Sequence, residues 1–218
     1  MQIAALNQAE IDALLSNLGA QQTEGTNSSN LTKGPWKSVK PYDFRRPDKF
    51  SKDQVRALQM LHESLARMMS SSLSGRLRTL VQASLASVDQ GAYNEFLKLI
   101  PDFAILSIIG VEPLPGSIIL DVSPDIAFAM IDRLLGGPGR TIKRAAGITD
   151  IEMVLVKSLI NTILQDIRDT WSNVVQLRPQ LSEVILNPRF IQATFQGDAV
   201  IILVFEVKLG ETTGTITI

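Results

Sequence analysis

Residues 50–73 read FSKDQVRALQMLHESLARMMSSSL, and residues 148–171 read ITDIEMVLVKSLINTILQDIRDTW. Both stretches open with an apolar residue, a hydroxyl residue, two spacers, Gln or Glu, and a second apolar residue. This pattern is a capping box enclosed by a hydrophobic staple, which marks the amino end of a helix. The sequence therefore predicts two long helices that begin at an offset of 98 residues.

The similarity continues along both helices and into a distant strand. At the same offset of 98 residues, Gly116 and the strand-like residues after it fall on Gly214 and its successors. Six apolar positions on one face of the first helix also fall on six in the second. These pairs are Val55 with Met153, Leu58 with Val156, Leu61 with Leu159, Leu65 with Ile163, Met69 with Ile167, and Leu73 with Trp171. One offset shared by a helix and a strand indicates an internal duplication.

Each half of the duplication is predicted to be a long amphipathic helix followed by three strands. The predicted strands are residues 80–89, 103–111, 117–122, 176–186, 199–209 and 212–218. Turn-forming residues at 112–116 and 210–211 make the last two strands of each half antiparallel neighbours. The predicted fold class is α/β, a pseudo-twofold layered domain with a six-stranded, mostly antiparallel sheet and long amphipathic helices. A helix at 124–135 has no counterpart in the second half, so we expect a truncated piece of a longer protein.

The composition argues against catalysis. The chain has 218 residues, of which 45% are hydrophobic and 20% charged, and a formal net charge of -1, as in a folded soluble protein. It has no cysteine, which excludes disulfides, iron–sulfur clusters and a thiol nucleophile. The one histidine, His62, lies beside the apolar stripe of the first helix, where we expect a partly exposed structural residue. We expect no catalytic residue, no metal and no cofactor.

The first 19 residues form a candidate binding segment of their own. Asn7 and Glu10 can form a capping box and Gly19 can end the helix. So short a helix is marginal alone, so we expect it to fold on a partner; the alternative is a helix that folds back on its own domain. The polar residues 20–41 have a linker composition. The predicted organisation is therefore a peptide at 1–19, a flexible linker at 20–41 and a domain at 42–218.

Two further features bear on partners and location. Residues 33–56 hold eight basic residues against three acidic ones, which favours a solvated linker over a nucleic-acid groove. A nucleic-acid adaptor is therefore a third hypothesis, and we expect no nucleic-acid partner. The first 20 residues lack a targeting pattern, and the longest apolar run, 200–205, is far short of the ~20 residues that cross a bilayer. We expect a cytoplasmic protein.

A glycine-rich segment follows the helix at 124–135 and reads Gly136-Gly137-Pro138-Gly139-Arg140. Gly136 is placed to end the helix. The segment lacks the spacing of a phosphate-binding loop, and the carboxyl end of a helix has the wrong polarity for phosphate. One glycine is enough to end a helix, so Gly137, Pro138 and Gly139 need another explanation. We therefore expect a loop of fixed shape that contacts another protein.

Three motifs resemble those of the flagellar motor switch protein FliM family. They are LNQAEIDALL at residues 6–15, YDFRRP at 42–47 and IDRLLGGPG at 131–139. With the duplicated helices, the resemblance covers residues 6–218. It implies a peptide that captures the phosphorylated response regulator CheY, a CheC-like middle domain that binds FliG, and a FliN-like carboxy-terminal domain. The last of these is absent from this sequence.

The resemblance also implies two protein-binding sites. The CheY-binding residues would be Leu6, Gln8, Glu10, Ile11, Asp12, Leu14 and Leu15. The FliG-binding residues would be Asp132, Arg133, Gly136, Gly137, Pro138, Gly139 and Arg140, with the charged ones as flanking polar contacts. The implied partners are phosphorylated CheY, the FliG middle domain, other FliM copies in the ring, and FliN through the absent domain. The implied location is peripheral, at the cytoplasmic face of the inner membrane in the flagellar basal body.

The resemblance raises an enzymatic alternative. CheC phosphatases carry Glu-x-x-Asn on their long helices, whereas the third residue after Glu63 is Ala66 and the third after Glu152 is Leu155. Only the linker residues 24–27 match that spacing. The first hypothesis is therefore a non-enzymatic switch protein that passes a signal from phosphorylated CheY to FliG and so changes the direction of flagellar rotation. The alternative is a CheC-like phosphatase of a phosphorylated response regulator.

Overall fold

Both predicted capping boxes are present at the starts of the long helices. A computed structural model describes residues 50–140, 147–188, 191 and 199–218. In it, Ser51 Oγ accepts a hydrogen bond from Gln54 N at 3.2 Å, and Gln54 Oε1 accepts one from Ser51 N at 2.9 Å. Thr149 and Glu152 make the same reciprocal pair of bonds, at 3.4 and 2.9 Å. These bonds satisfy backbone donors that a helix start leaves unpaired.

The chain divides into two units, Met1–Tyr42 and Asp43–Ile218, and all described residues belong to the second. The predicted CheY-binding residues and the predicted linker lie outside the described residues. The elements that the structure describes are α1 (Lys52–Leu77), β1 (Val81–Ala92), α2 (Tyr93–Leu99), β2 (Ile105–Glu112), β3 (Ser117–Val122), α3 (Pro124–Leu134), α4 (Asp150–Trp171), β4 (Arg178–Ile185), β5 (Ala199–Leu209) and β6 (Thr212–Thr217).

The six strands form one sheet in the order β1-β5-β6-β3-β2-β4, and all neighbouring strands are antiparallel. Exchanging the halves, so that β1 replaces β4, β2 replaces β5 and β3 replaces β6, reproduces the same order. The first strand of each half pairs with the second strand of the other half. The predicted pseudo-twofold, six-stranded fold is thus confirmed, and each half completes its sheet only with the other.

The core lies on both faces of the sheet. On the face covered by α1, α3 and α4, the six predicted apolar pairs are all buried or half-buried, and Leu65 and Ile163 are fully enclosed. Ile105 and Leu106 are neighbours in β2 but belong to different buried clusters, because successive strand residues point to opposite faces. The second cluster lies under α2, where the Tyr93 hydroxyl donates to the Ile191 carbonyl at 3.2 Å.

Three details differ from the expectations. His62 is 4% exposed, not partly exposed, because it lies one turn after Leu58 on the same buried face. Its ring packs edge-on against Trp171, with centroids 5.8 Å apart. The sequence did not predict α2, which has seven residues and begins without a side-chain cap. Element ends shift by at most three residues, which is the usual uncertainty of helix and strand boundaries.

Candidate protein-binding loop

The last turn of α3 carries the candidate loop. Residues 126–131 of α3 are all buried, so this helix is firmly seated against the core. Gly136 follows with φ +92°, a backbone conformation in which glycine has no side-chain penalty. The predicted helix end is therefore confirmed. We call residues 136–139 the glycine loop.

Asp132 holds the far side of the glycine loop. Its Oδ2 accepts hydrogen bonds from Gly139 N at 2.7 Å and from Arg140 N at 3.2 Å. Its backbone carbonyl accepts a third from Gly137 N at 2.8 Å. Hydrogen bonds from backbone amides to a carboxylate are stronger than those between neutral groups. The Asp132 side chain therefore faces its own loop and gives it a defined shape.

Arg133 extends in the direction of α1. Its Nη1 donates to the Gly137 carbonyl at 2.9 Å. Its Nη2 donates to the Arg78 carbonyl at 3.0 Å and to the Leu77 carbonyl at 3.3 Å. Those two carbonyls lie at the carboxyl end of α1, where acceptors are otherwise unpaired and a positive charge is favourable.

Two glycines of the loop are required by their surroundings. A Cβ atom on Gly137 would lie 2.2 Å from Asp132 Oδ1, so a side chain there displaces the carboxylate. Gly139 has φ +84°, and a Cβ on it would lie 2.6 Å from Leu209 Cδ2. Thr212 Oγ1 also donates to the Gly139 carbonyl at 3.3 Å. The glycine loop is thus held by Asp132 and Arg133 of α3 and by Thr212 at the start of β6.

The structure brings all seven predicted FliG-binding residues together and differs in how it exposes them: Gly139 is buried and Gly137 is half-buried. Asp132 and Arg133 are half-buried and bond to the chain's own backbone. Gly136, Pro138 and Arg140 are exposed. The sequence interpretation did not include Leu135, which is 64% exposed beside the loop. No sequence signal identified it, because Leu135 follows the buried Ile131 by four residues, a spacing that places both on one helical face.

The single glutamate on each long helix has a structural partner. Glu152 is buried, and its Oε2 accepts hydrogen bonds from the Thr149 backbone and hydroxyl at 2.9 and 2.8 Å. Glu63 Oε1 accepts one from Gln59 Nε2 at 3.1 Å. In the described part of the chain, no three His, Cys, Asp or Glu side chains are grouped as metal ligands. None of the described helices is both long enough and apolar enough to cross a membrane.

An apolar cavity of about 460 Å³ is lined by residues of α1, α2, α4, β3 and β5, with Leu58 and His62 among them, and by Gly116 just before β3. The duplication pairs Gly116 with Gly214. In the other half, α3 packs so closely over Gly214 that a Cβ atom there would lie 2.8 Å from Ile126 Cβ. The cavity beside Gly116 thus corresponds to the surface that α3 covers in the other half. We therefore interpret its apolar lining as a surface for helix packing, and we assign no small-molecule site.

Fold and site together define a duplicated α/β domain with an exposed, hydrogen-bonded glycine loop after α3. The chain belongs to the family of the flagellar motor switch protein FliM, whose family model matches residues 51–218. The resemblance predicted from the three sequence motifs is therefore confirmed.

Relatives and solved structures support this assignment. FliM from Borreliella burgdorferi is 43% identical, over 96% of this chain and 61% of its own length. FliM from Bacillus subtilis is 35% identical, over 98% of this chain and 64% of its own length. The chain thus spans about three fifths of the curated relatives it matches.

Among solved structures, a chain in the crystal structure of the FliG–FliM complex from H. pylori is 33% identical, with a TM-score of 0.74. The match covers 77% of this chain and 92% of that one. The FliM middle domain from H. pylori is 32% identical with a TM-score of 0.70, covering 77% of this chain and 91% of that one. The described domain therefore has the fold of a FliM middle domain.

Proposed function

We propose that this chain is the signal-receiving and FliG-binding part of a flagellar rotor switch. In this proposal it binds phosphorylated CheY and transmits the signal to FliG, which changes the direction of rotation. The observation that carries the proposal is the glycine loop, which is exposed at Gly136 and Pro138 and held in shape by hydrogen bonds to Asp132, Arg133 and Thr212. A similar chain from H. pylori crystallised in a FliG–FliM complex, which supports FliG as the partner.

The FliG middle domain binds the exposed side of this loop. A loop that is already ordered loses little conformational entropy on binding, so more of its contact energy contributes to affinity. Leu135, 64% exposed, and Pro138 supply apolar contact area, and Arg140 supplies a charge. Asp132 and Arg133 act by positioning the loop, since their side chains bond to backbone atoms of this chain.

The test compares Gly137→Val with Gly147→Val. A Cβ atom on Gly147 would meet nothing within 4 Å, so the second variant adds the same side chain without displacing Asp132. We expect Gly137→Val to weaken calorimetric binding of the FliG middle domain by about tenfold or more, since 1.4 kcal/mol is tenfold in affinity. Gly147→Val keeps wild-type affinity. Equal affinities for both folded variants would remove the loop from the account.

Residues 1–19, which lie outside the described residues, bind phosphorylated CheY. Ile11, Leu14 and Leu15 provide an apolar stripe for a groove, and Glu10 and Asp12 provide negative charge near the start of the helix. Tethering then raises the concentration of the captured regulator near the domain. A fluorescence titration of the isolated first 20 residues with CheY tests this step. We expect tighter binding to the phosphorylated form, and equal binding would contradict it.

The domain acts in a ring, beside other FliM copies, and FliN is bound by a FliN-like carboxy-terminal domain of the whole protein. This places the whole protein peripherally at the cytoplasmic face of the inner membrane, in the flagellar basal body. The family assignment over residues 51–218 supports this location. Membrane fractionation tests it: the full-length protein should sediment with membranes that carry basal bodies and be released from them by alkali without detergent. Release that requires detergent, as for an integral membrane protein, would contradict it.

A further inference from the structure

We infer that Arg133 is a positioning residue that joins the glycine loop to the carboxyl end of α1. In consequence, the shape of the loop and the position of that helix end change together. The inference deepens the proposed function, because it depends on FliG binding at the loop for one of its two tests. The second test, described below, needs no FliG.

The guanidinium of Arg133 bridges two parts of the fold. Nη1 donates to the Gly137 carbonyl at 2.9 Å, and Nη2 donates to the Arg78 carbonyl at 3.0 Å. Arg133 Nε is buried and has no acceptor among the described residues, so the two Nη groups hold the side chain. A planar guanidinium presents its donors in a fixed fork, which the single ammonium of lysine cannot reproduce. The bridge therefore requires arginine.

The stem of Arg133 also supports the loop. A Cβ atom on Gly139 would lie 2.9 Å from both Cγ and Cδ of Arg133, so the loop backbone rests directly on the side chain. Displacement of the stem therefore displaces Gly139, and displacement of the guanidinium changes the hydrogen bond to Gly137. The loop contacts Arg133 at two separate points.

The carboxyl end of α1 is in turn fixed to β1 through Ser74. Its Oγ accepts a hydrogen bond from Val81 N at 2.8 Å, and its carbonyl accepts one from Arg78 N. Arg78 adopts the left-handed conformation, with φ 50°, and this turns the chain out of the helix. Removing the Ser74 hydroxyl loosens the helix end that carries the two carbonyl acceptors of Arg133.

The experiment is a cycle of Ser74→Ala and Arg133→Lys, singly and together. The first measurement is hydrogen exchange at the Gly139 amide, which bonds to Asp132 Oδ2 at 2.7 Å, in the full chain without FliG. We expect Ser74→Ala to speed this exchange about threefold or more when Arg133 is present and to leave it unchanged in the Arg133→Lys background. An equal effect in both backgrounds, or no effect in either, overturns the inference.

The second measurement repeats the cycle with the affinity for the FliG middle domain. Ser74→Ala is expected to weaken binding about threefold or more in the arginine background only. Ser72→Ala is the matched control, because Ser72 is on the same helix but its Oγ bonds to Asp166 on α4. It should leave Gly139 exchange unchanged. If FliG binding fails in every protein while the exchange cycle gives the expected result, only the proposed function is refuted.

Discussion

Ser72 Oγ donates a hydrogen bond to Asp166 Oδ2 at 2.5 Å, across the contact between α1 and α4. The duplication places Thr170 at the position of Ser72 and Met68 at that of Asp166. Thr170 Oγ1 lies 3.3 Å from Met68 Sδ. The same hydroxyl contact is therefore made twice between the two helices, once with the hydroxyl on α1 and once with it on α4, and the acceptor changes from a carboxylate to a thioether. These two contacts fasten the pair of long helices about the pseudo-twofold axis.

The two contacts should differ in strength. Burial raises the pKa of Asp166, while the hydrogen bond from Ser72 opposes that rise. Ser72→Ala removes this bond from a largely buried carboxylate, so we expect the free energy of unfolding to fall by about 2 kcal/mol. Thr170→Val should cost less than about 1 kcal/mol, because a thioether is a weak acceptor. Urea unfolding measures both, and equal losses would contradict this ranking.

Asp121 predicts a pH dependence of stability. It lies on β3 opposite Thr217, where the two halves of the sheet meet, and its buried Oδ1 has no hydrogen-bond partner among the described residues. Burial raises the pKa of Asp121 from 3.8 to about 6. The folded state therefore keeps this proton to higher pH than the unfolded state does. The contribution of Asp121 to stability is full below pH 3.8 and is lost as the pH rises to about 6.

Asp121→Asn removes this titration. Relative to the wild type, the variant should gain about 1–3 kcal/mol in the free energy of unfolding between about pH 4 and pH 7, and the difference should then stay level. Urea unfolding across this range gives the difference curve, in which the other carboxylates cancel. A difference that is the same at pH 4 and pH 7 would show that burial does not perturb Asp121.

Arg78 is expected to contribute through its carbonyl group and not through its side chain. Its φ of 50° is unfavourable for a residue with a Cβ atom, by about 1–2 kcal/mol. Arg78→Gly relieves this cost, whereas Arg78→Ala keeps it. We expect the glycine variant to melt at the higher temperature of the two, and both to bind the FliG middle domain as the wild type does. Loss of FliG binding in both variants would mean that the side chain is needed.

The chain is expected to leave the lifetime of a phosphorylated response regulator unchanged. Glu152 is engaged with Thr149 in its capping box, and neither Glu63 nor Glu152 is followed by the required asparagine. Adding the chain to phosphorylated CheY should therefore not change the rate of phosphoryl loss. Loss faster than the spontaneous rate would favour the CheC-like phosphatase instead.

The repeated pattern was enough to predict most of this fold. A capping box is a local signal, since its bonds join residues three apart, and Ser51 and Thr149 therefore begin helices where the sequence indicates. The shared offset also located β3 and β6, because the strand-like residues after Gly116 and Gly214 correspond. The sequence pattern did not predict that β1 pairs with β5 and β4 with β2, each in the other half, because periodicity within a strand does not identify its neighbours.

The sequence predicted which residues form the candidate loop, but not what the side chain of each residue bonds to. Glycines at 136 and 139 signal an unusual backbone, and both have positive φ. The direction of a charged side chain depends on acceptors that are distant in sequence, and those of Arg133 lie at Leu77 and Arg78. Sequence reasoning therefore grouped Asp132 and Arg133 with the partner-facing residues, whereas their side chains bond within the chain.

The most direct test of the account is a map of backbone amide shifts when unlabelled FliG middle domain is added to the isotope-labelled chain. We expect the largest changes at residues 135–137, 139 and 140, with smaller changes at Thr79 and Leu80 just beyond the end of α1. Largest changes on the outer strands β1 or β4, with the glycine loop unaffected, would contradict the claim that this loop binds FliG.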